Sequence, residues 1–381
     1  MQHITQLGVA FQRGRELTFG IKAADRLQHM FILGQTGTGK SSLLRFMALQ
    51  DAANGQGFCL IDPHGDIAKD LHRSIQAEHI YWDLADPRCP YGYNPVPRID
   101  KYLRPLIAAG FVDTLKHQWL DAWGPRMENI LLWGMLALLH QPAASILDLL
   151  PLFTDRKVRK EIIANIEDAE CKRFWQIDYP NIAYKTSNEG VASIANKLGP
   201  LIANPIIRAA LTAPRIPLRF RQIIDQGNIL IVNLAKGQLG SEVSNVLGGL
   251  ILSGLRNAAF TRQDTPEHLR QPYFVLVDEF HNFTSETIAE SLSELRKYGL
   301  SLTLAGQHLA QTSPATQAAI LGNVGTAITF RLGIKDAPLM SRYLGFPTET
   351  DLLNQPNHHA YCRLMIDGCQ SNAFSMRTLP P

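Results

Sequence analysis

The stretch His29-Met30-Phe31-Ile32-Leu33-Gly34-Gln35-Thr36-Gly37-Thr38-Gly39-Lys40-Ser41-Ser42-Leu43-Leu44 decides the fold. An apolar segment leads into G-x-x-x-x-G-K-[ST] at Gly34 to Ser41, and a helix-like segment leaves it. The glycines let successive backbone N–H groups turn toward a phosphate without Cβ clashes, and the helix N-terminus adds partial positive charge. Lys40 is expected to reach the β- and γ-phosphates, with Gly34, Thr36, Gly37, Thr38, Gly39 and Ser42 around them. Ser41 is expected to place its hydroxyl on Mg2+. Strand, loop and helix stand in the order this chemistry needs, so the segment reads as a site for a nucleoside triphosphate, ATP with Mg2+.

Working outward, four further apolar runs look like central strands. They are Gly57 to Ile61 ending at Asp62, Ile229 to Leu234, Tyr273 to Val277 running into Asp278-Glu279, and Ser301 to Ala305 running into Gly306-Gln307. Continuous apolar character indicates strands covered on both faces, as in parallel α/β sheets. Helical segments separate them, for example Val243 to Phe260 and Thr287 to Lys297, which predicts a doubly wound α/β fold. Residues 98–215 lack strand-like runs and show helical periodicity in Gln118 to Leu139, Ile146 to Phe153 and Arg156 to Cys171. Pro142, Pro180, Pro200, Pro205 and Pro214 punctuate this part, which reads as an all-α insertion in a core formed by residues 1–97 and 216–381.

Asp278-Glu279 follows five apolar residues, as a Walker B pair does. A carboxylate at the end of a buried strand can hold Mg2+, and its neighbour can polarise the attacking water. Asp278 takes the first role and Glu279 the second. Gln307, closing the next strand, can accept from a water and donate to the γ-phosphate. Arg296, 18 positions after Asp278 at the end of the intervening helix, is either an arginine finger or a solvated basic helix end favoured by the helix dipole.

The 381 residues include 45% hydrophobic and 19% charged residues, with no low-complexity stretch, which excludes a disordered chain. The net charge of +3 permits a nucleic-acid partner without arguing for one. Five scattered cysteines without a C-x-x-C pair disfavour a zinc site or a disulfide framework and suit a reducing compartment. No signal peptide is apparent, and the apolar run at Ile130 to Leu139 is too short to span a bilayer, so a soluble, cytoplasmic protein is expected.

A series of segments in order carries a family resemblance: His29 to Leu33 before the loop, Asp62-Pro63-His64-Gly65-Asp66, Tyr93-Asn94-Pro95-Val96, Val277 to Phe280, Leu295 to Leu300 and Ala305-Gly306-Gln307. Together they resemble the FtsK–HerA superfamily of DNA-pumping motors, nearest the conjugative coupling proteins and type IV secretion ATPases. Gly322 to Thr326 leading to Phe330-Arg331 is similar to that branch's last core strand and its sensor-like arginine. The resemblance implies a RecA-like core, and a homo-oligomeric ring, usually a hexamer, with ATP at the subunit interfaces. Arg296 matches the finger that acts across the interface, Gln307 the motif that senses the γ-phosphate, and Arg331 the sensor more loosely. DNA would pass through a central channel, for which Lys236 is a pore residue or simply an exposed loop lysine. Conjugative coupling proteins usually carry N-terminal transmembrane helices, whereas this chain begins about 30 residues before its phosphate loop. Membrane docking in cis is therefore in doubt, and the expectation is a cytosolic motor, a motor that docks at the inner membrane on a separate membrane partner in trans, or a soluble part of a longer protein. The expected activity is ATP-driven DNA translocation in transfer of a mobile element. The alternatives are a secretion ATPase without DNA as substrate and a slow ATP-dependent assembly switch.

Overall fold

The protein was analysed as a computed structural model that describes residues 4–12, 14–181, 189–212 and 214–379. The chain divides into two compact units, one formed by Met1–Asp83, Phe220–Gly237 and Ala258–Pro381, the other by Leu84–Arg219 and Gln238–Asn257.

The first unit is organised by one eleven-stranded sheet. Its strands are β1 (Ile4–Gln12), β2 (Arg15–Lys22), β3 (Met30–Leu33), β4 (Phe58–Asp62), β5 (His79–Asp83) and β6 (Ile229–Asn233), then β7 (Tyr273–Val277), β8 (Leu300–Gly306), β9 (Thr326–Thr329), β10 (His359–Arg363) and β11 (Phe374–Thr378). The order is β2-β1-β11-β10-β9-β3-β8-β7-β4-β6-β5. The seven strands from β9 to β5 pair in parallel, and β10, β11, β1 and β2 continue the sheet antiparallel. This is the mostly parallel, helix-flanked α/β sheet of P-loop NTPases. β3, β4, β6, β7, β8 and β9 are buried at every position, as strands covered on both faces are, with the hydroxyls of Ser301, Thr303, Thr326 and Thr329 the polar groups inside β8 and β9. Leu43, Leu44, Met47 and Ala48 of the helix Lys40–Ala53 pack on this core beside Ile32, Leu60 and Phe330. By area bookkeeping, a fully buried Leu or Phe contributes roughly 1.5–3 kcal/mol each.

In a parallel sheet every strand points the same way, so the carboxyl ends of β3, β7 and β8 share one edge. Register fixes the alignment: Gly306 lies opposite Leu33, and Leu304 opposite Val277. The phosphate-loop strand and the strand that leads into Asp278-Glu279 are thus separated by β8 alone, which leads into Gln307.

The second unit is mainly helical, including Arg104–Gln118, Pro125–Leu139, Arg156–Ala164, Glu189–Ala203 and most of Ser241–Phe260. The last of these, expected with the core, packs here through small residues. A Cβ on Gly110 would stand 2.7 Å from Ser253 Oγ, and one on Gly249 would stand 2.6 Å from Thr114 Cγ2. Phe153, Phe174, Trp175 and Tyr179 form an aromatic core, with Tyr179 Oη donating to Phe153 O at 2.9 Å. One expectation needs correcting. Pro200 lies inside the helix Glu189–Ala203 and does not punctuate it. Just outside residues 98–215, which hold no strand among the described residues, Tyr91–Gly92 pairs in parallel with Ile216–Pro217. Gly92 allows this close approach, since a Cβ there would lie 2.1 Å from Ala210 O.

Candidate nucleotide site

The loop after β3 is held open by backbone geometry that side chains would spoil. Gly37 has φ 75° and Gly39, which caps the following helix, has φ 120°. Those values lie in the region where L side chains strain the backbone. Gly34 is excluded from growth by packing, since a Cβ there would meet Phe330 Cβ at 2.6 Å and Thr38 Oγ1 at 2.9 Å. Gly34 N donates to Gly306 O and Gln35 N to Arg331 O, which anchors the loop to the ends of β8 and β9. Thr38 turns its hydroxyl inward to Gln35 O at 2.7 Å, so its side chain braces the loop. Ser41 is exposed and Ser42 half-buried in the first turn of the helix Lys40–Ala53.

Lys40 is 5% exposed and its Nζ donates to Gly34 O at 2.7 Å and Gln35 O at 3.0 Å. Burial lowers its pKa, while Asp278 and Glu279 oppose that shift. Both carboxylates are themselves 6% exposed. Burial pushes Asp278 up to about 7, reinforced by Glu279 and then Asp62. Three carboxyl groups near one lysine leave a deficit of positive charge at the strand ends. That deficit, beside a backbone cradle that a Cβ would fill, fits a divalent cation bridging to phosphates. Ser41 and Asp278 would hold Mg2+, which commonly takes only one or two protein ligands beside phosphate oxygens and water.

Glu279 adopts φ 49° and ψ 49°, a left-handed conformation at the end of β7. For a non-glycine residue this costs on the order of 1 kcal/mol or more, and such strain gathers at functional sites. Its carboxylate accepts from Gln307 Nε2, and Gln307 Oε1 accepts from Thr36 Oγ1 at 2.7 Å. His281 stands 3.5 Å from the other carboxylate oxygen. Thr36, Gln307 and Glu279 therefore form one chain of hydrogen bonds across β3, β8 and β7. Arg331 holds the loop separately, donating from Nε to Gln35 Oε1 at 3.3 Å and from Nη1 to Gln355 O at 3.0 Å.

Arg296 is not brought to this cluster. It is exposed in the turn Arg296–Tyr298 after the helix Glu286–Leu295, at the start of β8. β8 runs seven residues from Leu300 to Gly306, so Arg296 lies about 20 Å from its own phosphate loop, at the opposite strand ends. Lys236 is half-exposed in the short helix Lys236–Leu239 just beyond β6, at the same edge as the loop.

Two residues with structural duties here carried no such sign in the sequence reading. Asp62 spends both carboxylate oxygens on backbone N–H groups, those of His64 at 2.9 Å and Ala68 at 2.9 Å. Its Asp-Pro-x-Gly setting is a turn signal, and the role is that of a cap for the helix Asp66–Ser74. His29, noted before only as part of the apolar approach to the loop, is buried at 1% exposure and bonded on both ring nitrogens.

Among known proteins, the family described as "Helicase HerA, central domain" matches residues 8–85. No curated protein sequence matches the chain. The solved structure of the bacterial conjugative coupling protein TrwBdeltaN70 superposes with a TM-score of 0.70 at 15% identity, covering 100% of this chain and 91% of that one. VirB4 of Thermoanaerobacter pseudethanolicus gives 0.66 at 15% identity, covering 99% and 96%. Residues 8–85 are thus similar to the HerA central domain, and the chain shares the P-loop NTPase fold of TrwB and VirB4. A third relative, the plasmid coupling protein TrwB in complex with the ATP analogue ADPNP, has a TM-score of 0.68 at 15% identity, covering 100% and 90%. The P-loop NTPase fold accounts for the placement of β8 between the loop strand and the acidic strand. Among the described residues, no helix is long and apolar enough to cross a membrane.

Proposed function

We propose that this ATPase is a ring-forming motor that translocates DNA, with each nucleotide site completed by Arg296 of a neighbouring subunit. The observation that carries this reading is the separation within one chain. Lys40, Asp278, Glu279 and Gln307 gather at one edge of the sheet, while Arg296 stands exposed at the other. A phosphoryl-transfer site gains about 10³- to 10⁵-fold from an arginine at the γ-phosphate, and one chain cannot place Arg296 there. Head-to-tail packing of copies could, and closing such contacts makes a ring.

Bound ATP would supply the γ-phosphoryl group, and Mg2+ would supply charge that steadies it. Lys40, now donating to loop carbonyls, is within the cradle to turn toward the β- and γ-phosphates. Asp278 and Ser41 would hold the cation. Glu279 would take a proton from the attacking water, and its hydrogen bond from Gln307 sets where its carboxylate points. Because Gln307 also accepts from Thr36 in the phosphate loop, a change in the loop reaches the base through one side chain. TrwB is described as a conjugative coupling protein and VirB4 shares the fold, which supports DNA as the substrate and a role in transfer of a mobile element. On this reading a membrane or secretion-channel partner acts in trans.

The test is ATP hydrolysis with and without DNA over a salt series. Hydrolysis stimulated by DNA, lost in Lys40→Ala and Glu279→Gln, and DNA retention that weakens steeply with salt are the expected results. Equal hydrolysis with and without DNA, with no DNA retained at low salt, would overturn the DNA reading and leave a secretion ATPase.

A further inference from the structure

Arg296 is the one proposed catalytic side chain remote from the chain's own loop, yet a buried side chain connects the two. His29 immediately precedes β3, the strand that enters the phosphate loop. Its Nε2 lies 2.7 Å from Leu292 O, and its Nδ1 lies 3.0 Å from Leu302 N. An amide N–H can only donate, so Nδ1 is the acceptor and Nε2–H donates to the carbonyl. Leu292 belongs to the last turn of the helix Glu286–Leu295, where carbonyls lack partners within the helix. Arg296 follows four residues later, one helical turn further along. His29 O also accepts from Thr326 N at the start of β9. One residue therefore joins the loop strand, both of its parallel neighbours and the helix that ends in Arg296.

We propose that His29 is a positioning residue that fixes Arg296 relative to the phosphate-loop strand, so that the arginine a subunit lends its neighbour follows the lender's own loop. Packing supports a rigid link. His29 takes φ 64°, a left-handed turn that aims its ring under β8. The residues on either side of the bond, Leu292 and Leu295 of the helix and Leu300 and Leu302 of the strand, are buried. A solvated arginine on a loose helix end would need no such tether. An error of about 1 Å at a reacting centre costs roughly 100-fold, so the tether matters for rate before it matters for stability. This rests on the reading of Arg296 as a residue acting across a subunit interface.

The experiment mixes variants of the full chain and reads ATP turnover. Arg296→Ala protein keeps an intact loop, and Lys40→Ala protein keeps an intact arginine, so mixing the two should restore turnover. Adding His29→Asn to the Lys40→Ala partner removes the bond to Leu292 while keeping an acceptor for Leu302 N–H and a residue that tolerates left-handed φ. That partner has no working loop of its own, so any effect of His29 reaches the reaction only through the arginine it lends. Rescue should fall by about 10- to 100-fold. The parallel partner with His29→Gln, whose amide reaches the Leu292 carbonyl, should rescue nearly as well as Lys40→Ala alone. Undiminished rescue by a folded His29→Asn partner overturns the proposal, as does lost rescue by a folded His29→Gln partner. If Lys40→Ala itself rescues nothing in mixed rings, the interface reading of Arg296 falls and this proposal falls with it. Rescue that persists with Lys40→Ala but vanishes equally with both His29 variants would make His29 a folding residue only.

Discussion

Gln307 donates to the carboxylate of Glu279 from one end of its amide and accepts from the phosphate loop at the other. The Glu279 carboxylate is thereby oriented by a residue just past the end of the strand between it and the loop.

Removing the charge at Glu279 should separate binding from hydrolysis. Glu279→Gln is expected to lower kcat by about 10²- to 10⁴-fold, the usual worth of a general base. Nucleotide affinity should change by less than about threefold, since Lys40, Ser41 and Asp278 remain. Single-turnover hydrolysis and equilibrium titration with a fluorescent nucleotide read the two quantities. A parallel fall in both would point to a damaged loop.

Gly34→Ala should distort the loop for steric reasons alone. The added Cβ would face Phe330 Cβ at 2.6 Å, on backbone that is tied to Gly306 O. Overpacking of that kind costs about 1–3 kcal/mol. The melting temperature should fall and nucleotide affinity should weaken with it. Adding Phe330→Ala should recover none of the affinity, because alanine keeps the Cβ that the new methyl group meets.

Stability should depend on pH through His29. Burial holds its pKa down at about 4 against an ordinary 6.5, with Arg296 adding to the effect and the bond to Leu292 opposing it. Protonation would also turn Nδ1 into a donor facing the Leu302 N–H. Between pH 6.5 and about 4 the unfolded chain binds the proton and the folded chain does not, so stability falls as pH drops through that window and is complete above it. The full effect is about 3 kcal/mol. Urea unfolding at pH 7.5 and pH 5 should show a smaller loss for His29→Gln than for the parent.

Arg26 and Asp51 form a fully buried pair at 2.7 Å, with the guanidinium 3.9 Å above the Phe274 ring. Asp51→Ala leaves that charge without its partner and should cost about 3–5 kcal/mol. The double change Arg26→Met with Asp51→Leu should recover most of the loss. Chemical denaturation of the four proteins gives the coupling directly.

The parts legible in the sequence were those where one period or one motif dominates. β3, β4, β6 and β7 are runs of apolar residues up to their last positions, β8 is mostly apolar, and each appeared where its residues announced it. β1 and β2 did not, because Ile4–Gln12 and Arg15–Lys22 mix polar and apolar residues, and a bulge between Gln6 and Gly8 breaks the alternation. β11 is partly exposed and weak in the same way. At the site, the glycines, Lys40 and the Asp278-Glu279 pair carry a local signature. The bonds from Gln307 to Thr36 and to Glu279 join residues 271 and 28 positions apart, so only the parallel register of β3, β8 and β7 brings them together. His29 was hidden for another reason. A histidine at a strand entrance looks like any core residue until the partners of its two nitrogens are known.

The chain leaves the sheet at Asp83 of β5 and re-enters it at β6, and these two strands are immediate neighbours, with Asp83 opposite Asn233. Parallel neighbours need a crossover of a dozen or more residues in any case. Here that obligatory bridge has grown into most of a second unit, spanning Leu84 to Arg219. Lengthening it adds little to the closure cost, about 0.6 kcal/mol for each doubling in a flexible chain. Evolution has thus been handed a socket at the sheet's edge into which helical modules can be fitted or exchanged, while the strands that carry the ATP chemistry keep their register.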